Sequence, residues 1–388
     1  MHIFDDANRD DNSYKQNQEP YFQFYNRCSN AVAKNVRNLL ESCFRNYSDQ
    51  EQEELRARIR SGDDRHFQSA VFELLLHEIM MRAGYQLEPH PRLPNGSASR
   101  PDFLVTGKDG ESFYLEAVLA AMSTDDDRAA QLRKNVVYDY LSRNPHGLFL
   151  VNLYEDGNPA TQPSGRGLLR VIHSWLDSLD HNSLRKQLEQ CGPDSMPAIE
   201  WSHEDWSLVI KAWPLEASRV GLSENLIGVF PTQGGWINAW TPIRDSVKLK
   251  NSKYGDLDRP LVVAVNFDGF VLDRIDEVQA LFGQEQFMFK VEDGHHWMER
   301  AKNGVWNGPH GPQCKRVTGV WIFDNLSASG IRDKRHTIYI NPSSNFEFPR
   351  ALLRFPHALV KDQKLKWYEG ITLNELFELN EDWPLTVE

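Results

Sequence analysis

Three carboxylates stand where a soluble domain has little use for them. Glu73 lies in a strongly helical stretch. Asp102 sits in Arg100-Pro101-Asp102-Phe103-Leu104-Val105, and Glu116 follows fourteen residues later in Phe113-Tyr114-Leu115-Glu116-Ala117-Val118. A charge inside an apolar run is unfavourable unless it is paired or binds a metal. Side chains alternate along a strand, so Asp102 shares a face with Leu104, and Glu116 with Tyr114 and Val118. Two adjacent antiparallel strands would therefore bring the two acids together. With the backbone carbonyl of Ala117 they make an all-oxygen donor set, suited to a hard divalent cation such as Mg²⁺ (or Mn²⁺) that keeps several waters. Such an ion stabilises a phosphoryl transition state and makes its bound water more acidic. Glu73, coming from the preceding helix, is expected to hold a second ion or to orient the first ligands.

The elements that must position these acids are legible around them. Phe67, Ala70, Val71, Leu74, Leu75 and Met81 cover more than one face of a helix over 66–83, which should be largely buried and end at Gly84. Extended segments follow at 85–90, 101–106 and 112–120; residues 91–99 read as a loop, and Gly107-Lys108-Asp109-Gly110 as a hairpin connection. Thr124 and Asp127 have the spacing of a capping box opening a helix that runs to about 142. On it Ala129, Leu132 and Val136 read as the apolar face, with Gln131, Lys134 and Tyr138 on another side. A strand at 147–154 completes a helix-strand-strand-strand-helix-strand series.

That series, with Glu73 in the first helix, Pro101-Asp102 at the second strand and Glu116-Ala117-Val118 in the third, resembles the PD-(D/E)XK, or restriction-endonuclease-like, nuclease superfamily. The resemblance covers about 66–154, under a quarter of the chain. It implies an α/β protein with a restriction-endonuclease-like core that hydrolyses phosphodiester bonds with a metal, on DNA in preference to RNA. The residues it points to are Glu73, Asp102 and Glu116 as catalytic acids, with Asp102, Glu116, Ala117 and Glu73 as metal ligands. One position departs from the pattern. Members usually carry a lysine two residues after the acid, where this chain has Val118. The replacements within the stretch are Lys134 on the second helix, which we take as the catalytic lysine, Lys108 in the hairpin, and Gln131 as a polar substitute. The missing lysine leaves a second class in view, a nuclease fold that binds nucleic acid without cutting it.

The chain has 388 residues, 40% hydrophobic and 25% charged, enough for two domains or one with large additions. Residues 1–20 read as a disordered arm, 21–64 as N-terminal helices, 65–155 as the core and 156–200 as a linker and helix. Residues 201–388 read as a mixed α+β C-terminal domain. All eleven tryptophans lie at or after Trp175. Strands are expected at 206–213, 226–231, 260–267, 317–323 and 337–340, and helices at 168–191, 242–253 and 273–282. The helix-then-strand order of 242–267 echoes that of 127–154.

A net charge of −12 opposes general affinity for nucleic-acid backbones but allows a local basic groove. The helix with Arg244, Lys248, Lys250 and Lys253 reads either as phosphate-contacting or as a solvated face. Adjacent His295 and His296, near Asp293, point apart in regular structure and make a poor metal pair. Four cysteines without a C-x-x-C pair, no leader-like segment and no apolar run of membrane length indicate a cytoplasmic protein with reduced thiols. A homodimer, or an interaction scaffold that meets a protein partner through its C-terminal domain, is the remaining class.

Overall fold

A computed structural model of the chain describes residues 1–121, 124–229, 239–269, 272–289 and 296–385. Four helices come first: α1 (Tyr21–Arg27), α2 (Ala31–Asn46), α3 (Gln52–Ile59) and α4 (Asp64–Arg82). Asn30 and Asp63 cap α2 and α4 by accepting from backbone N–H groups of the first turn. Strands β1 (Gln86–Pro89), β2 (Phe103–Thr106) and β3 (Ser112–Ala121) form an antiparallel meander. Next come α5 (Asp125–Ser142), β4 (Phe149–Asp156), α6 (Gly165–Asp177) and α7 (His181–Cys191), then β5 (Ala198–His203), β6 (Trp206–Pro214) and β7 (Ile227–Val229). The chain continues through α8 (Trp240–Lys253), β8 (Leu261–Asp268), α9 (Arg274–Phe282), β9 (Glu285–Phe289), β10 (His296–Arg300) and the two-residue pieces β11 (Asn307–Gly308) and β12 (Gly311–Pro312). It ends with β13 (Val317–Asp324), β14 (His336–Ile340), β15 (His357–Lys361), β16 (Lys364–Tyr368) and α10 (Leu373–Phe377).

Two compact units result, one of Met1–Tyr14, Pro20–Met122 and Asn238–Glu388, the other of Lys15–Glu19 and Ser123–Ile237. The first is built on a mixed sheet of order β1-β2-β3-β8-β13-β14-β15-β16. Its middle strands β3, β8 and β13 run parallel, and every residue of β8 from Leu261 to Phe267 is buried. Parallel strands covered on both faces require that continuous apolar run. On one face α1–α4 and α10 pack Phe72, Leu75 and Ile79 against Phe103, Leu115 and Ala264. On the other, α8 and α9 pack Ile243, Val247 and Leu281 against Tyr114, Val263 and Val265.

The second unit has a four-stranded sheet, β5-β6-β4-β7. Its core joins Val137, Ile172 and Leu176 of the helices to Val151, Leu153 and Ile210 of the strands. Burial alternates along β4, as it does in a sheet with one covered face.

The chain is thus a mixed α/β protein with N-terminal helices, but its parts are divided differently from the sequence expectation. Residues 65–155 are not one core: α5 and β4 belong to the second unit, and the parallel neighbour of β3 is β8, reached through α8. A parallel pair needs a crossover connection, usually helical; here α8 supplies it after an insertion of more than one hundred residues. Nor do residues 201–388 form a separate domain, since α8 onward completes the first sheet.

The expected disordered arm is held by its few apolar and many polar groups. Ile3 and Phe4 are buried, Phe4 stacks on Phe22 at 5.8 Å, and Arg60 donates to the carbonyl of Ile3 at 2.7 Å. In the second unit Asp139 accepts from the backbone N–H groups of Asn17 (2.9 Å) and Gln18 (3.0 Å). The helix expected over 168–191 is two, because Asp180 caps a fresh start at α7. Among the described residues no helix is long and apolar enough to cross a membrane.

Candidate functional site

The site is built on the first unit's sheet. In the β2–β3 ladder Phe103 faces Leu115 and Leu104 faces Tyr114. One step further, that register sets Asp102 opposite Glu116, on the sheet face covered by α8. The backbone N–H of Asp102 donates to Glu116 Oε2 at 3.2 Å, and that of Ala117 donates to Asp102 Oδ2 at 2.6 Å. One more step would pair Ala117 with Pro101, which has no N–H to give the Ala117 carbonyl. Asp102 is half-buried and Glu116 fully buried. Burial, then the charges of Glu116 and Glu73, push the Asp102 carboxyl well above its ordinary range; the Ala117 N–H and Lys250 act in the opposite sense.

The cation next to these acids comes from α8. Lys250 Nζ donates to Glu116 Oε1, and Lys253 Nζ lies 3.4 Å from the same oxygen. Three and four residues apart, Lys250, Lys253 and Tyr254 share a side of the helix end. The buried Tyr254 phenol is pushed upward by burial and then by the neighbouring Glu116. Farther along α8, Arg244 pairs with Asp245 at 2.7 Å and stacks on Trp240 at 4.6 Å. The basic helix is therefore not uniform: its last turn serves Glu116.

Glu73 reaches this group by charge alone. It projects from α4, on the other face of the sheet, where it accepts from Tyr47 Oη at 2.7 Å and pairs with Arg58 at 2.7 Å. Among the described residues no three His, Cys, Asp or Glu side chains converge as a metal-binding group. The structure thus joins Asp102, Glu116 and Ala117 and leaves Glu73 in a separate ion pair. His77 packs between Tyr47 (4.9 Å) and Phe103 (5.7 Å), and burial lowers its pKa to about 4, so it is a neutral core histidine.

Lys134, expected as the catalytic lysine, belongs to the other unit and is engaged there. It is buried, 3.3 Å from Glu155, with its ammonium 5.9 Å from the Trp206 ring. The expected faces of α5 are exchanged: Lys134, Val137 and Tyr138 point inward, while Leu132 and Val136 are exposed. Lys134 and Tyr138 are inside because both bind Glu155, a demand that apolar periodicity does not register. Gln131 bonds to Asn135 at 2.9 Å in the same unit, and Lys108 is exposed in its hairpin. Asp293, His295 and the side chain of His296 lie outside the described residues, as does the end of the strand expected at 226–231. Lys250 was visible in the sequence only as part of a basic helix. The signal that singles it out is the uninterrupted apolar run of β8 immediately after that helix, which identifies the true partner of β3.

Compared with known proteins, the chain matches no family model, no curated protein and no solved structure.

Proposed function

We propose that the first unit is a metal-dependent phosphodiesterase of the restriction-endonuclease-like kind, acting on DNA, with α4-β1-β2-β3-α8-β8 as its core. The observation that carries this reading is Lys250 on Glu116, beside Asp102. It supplies from α8 the lysine that Val118 does not provide, and so removes the chief reason for reading the fold as inactive.

The donor set suits a hard cation. Asp102, Glu116 and the Ala117 carbonyl are oxygen donors, and the Asp102 carboxyl is raised by burial first and then by the charges of Glu116 and Glu73. When bound, Mg²⁺ or Mn²⁺ supplies charge neutralisation at the phosphate and a more acidic water. For that, Asp102 and Glu116 act as carboxylates, and Asp102 gives up the proton that burial favours. Lys250, released from Glu116, turns its ammonium to the negative charge that develops on phosphate oxygens. Lys253, more exposed at 39% against 16% for Lys250, is placed to meet the substrate backbone. Glu73 has a positioning role: from α4 it holds Tyr47, at the end of α2, and Arg58 of α3, and it adds charge near Asp102.

The test is nicking of supercoiled plasmid by the full chain in Mg²⁺ or Mn²⁺, with structured and single-stranded RNA as comparison substrates. Wild type is expected to nick DNA, and Asp102→Ala and Glu116→Ala to lose the activity. Absence of nicking by wild type in both metals overturns the reading; retained DNA binding in that case points to an inactive nucleic-acid-binding fold.

A further inference from the structure

A cavity of about 200 Å³ lies in the first unit, at the carboxyl-end side of β3, β8 and β13 and against α1, α2 and α4. Ligands of open α/β sheets gather outside the carboxyl ends of the strands. The cavity is not the Glu116 site. Asn266 and Asp268 alternate on β8 with Val265 and Phe267, which belong to the α8 layer, so they face the opposite side of the sheet.

One wall is aromatic. The rings of Tyr21, Tyr25 and Phe67 have centroids 5.9, 6.1 and 6.4 Å apart and planes within 23° of parallel. Asp268 is the one charged side chain among the described residues lining the cavity. Its Oδ1 accepts from Gln68 Nε2 at 3.3 Å, a long bond for a carboxylate. Among the described residues no lysine or arginine lines the space, and the charge of Arg65 reaches Asp268 from outside it. Burial raises the Asp268 carboxyl and takes the Tyr21 phenol up to about 12, as in a space that excludes much of the solvent.

Size and chemistry narrow the occupant. A cavity of about 150 Å³ takes a benzene ring, so this one has room for one flat ring system or a similarly small planar group. Aromatic faces stack flat bases and attract flat cations. A carboxylate presents two acceptors side by side and pairs best with two parallel N–H donors.

We propose that this cavity binds a flat ligand with an amidine-type edge, two neighbouring N–H donors that meet Asp268 while the plane rests on the Tyr21–Tyr25–Phe67 wall. Two sources share that edge, a guanine base and a guanidinium compound. The inference stands apart from the phosphodiesterase reading, because Glu116 and Lys250 lie on the other face of the sheet.

Calorimetric titration of the full chain with guanosine, adenosine and agmatine tests it. Guanosine or agmatine is expected to bind one site, and adenosine, which lacks the paired donors, at least about tenfold more weakly. Preference for guanosine identifies the base as the source, and preference for agmatine the guanidinium. Asp268→Asn keeps the shape but exchanges one acceptor for a donor, and should weaken binding roughly tenfold to a hundredfold. Its thermal midpoint should not fall, since partial burial already disfavours the Asp268 charge. Gln68→Ala, a second variant farther from the strand core, should give a smaller loss. If neither probe binds at millimolar concentration, or if Asp268→Asn binds as wild type does, the proposal is wrong.

Discussion

Two helices of this chain carry the same short pattern, Lys134-Asn135-Val136-Val137-Tyr138 on α5 and Lys250-Asn251-Ser252-Lys253-Tyr254 on α8. In each, lysine and tyrosine lie one helical turn apart and approach a buried glutamate, Glu155 in the second unit and Glu116 in the first. The surroundings differ. Glu155 is met by Lys134, the Tyr138 hydroxyl and the Trp206 indole at 3.2 Å. Glu116 has a second carboxylate beside it, and that neighbour holds its proton tightly. In the first arrangement all three groups meet one oxygen, Glu155 Oε2. The second sets two carboxylates side by side in a buried place, with both lysines on Glu116 and burial raising the Asp102 carboxyl. A buried lysine–glutamate pair is therefore no sign of function by itself.

The widest separation between the pairs should come from the acids. Asp102→Asn and Glu116→Gln are each expected to lower plasmid nicking by about a thousandfold or more. Asp102→Asn should be at least as stable as wild type to urea at neutral pH. Glu155→Gln should instead leave Lys134 with a neutral partner and lower stability by about 3 kcal/mol. If Glu155→Gln abolishes nicking in a protein that remains folded, the division into a structural and a chemical pair fails.

The lysines extend the contrast at smaller size. Lys250→Ala should slow nicking about a hundredfold, and should lower stability less than the Lys134 variant does, because Lys253 at 3.4 Å keeps a cation on Glu116. Lys134→Ala should lower stability by about 3 kcal/mol, since it leaves Glu155 buried without its cation. A Lys250 variant that nicks normally would return the search for the lysine to Lys253.

The pH dependence should also separate the two. In the metal-free protein Asp102 keeps its proton above the ordinary carboxylate range, so the native state binds more protons than the unfolded chain across that window. Stability therefore falls as pH rises from the unfolded carboxylate pKa through the raised native one. Mg²⁺ competes with that proton, and its affinity should increase over the same rise. Denaturation and Mg²⁺ titrations from about pH 4 to pH 8 should show both slopes, and Asp102→Asn should flatten the stability slope.

The smallest difference is expected at the tyrosines. Tyr138→Phe removes a hydroxyl bonded to Glu155 and should cost about 1–2 kcal/mol. Tyr254→Phe should stay within about 0.5 kcal/mol, because Lys250 and Lys253 already meet the Glu116 carboxylate. Equal losses in urea denaturation would mean that the two helix patterns play the same structural part.

Local chemistry made much of the first unit readable. The apolar all-round pattern of α4, the hairpin residues between β2 and β3, and the period-two alternation that aligns Asp102 with Glu116 are consequences of neighbours a few positions apart. The capping box of α5 was equally plain. Which helix and strand accompany β3 was not a local matter. Two helix–strand candidates follow it, and proximity favours the wrong one. The discriminating feature was present: Leu261-Val262-Val263-Ala264-Val265 is apolar without interruption, as a strand buried on both faces must be, whereas Asn152, Tyr154 and Glu155 break the run of β4.

The sequence by itself determined the elements and the two acids, since helix periodicity, turn chemistry and strand alternation act over a few residues. Only tertiary structure decided that the second unit falls between β3 and α8, that Glu73 is tied to Tyr47 and Arg58, and that Lys250 is the cation at Glu116. Those outcomes depend on pairing strands across a long insertion and on which buried charge each cation can reach. Both are set by the whole packed sheet, so no short stretch of the chain contains them.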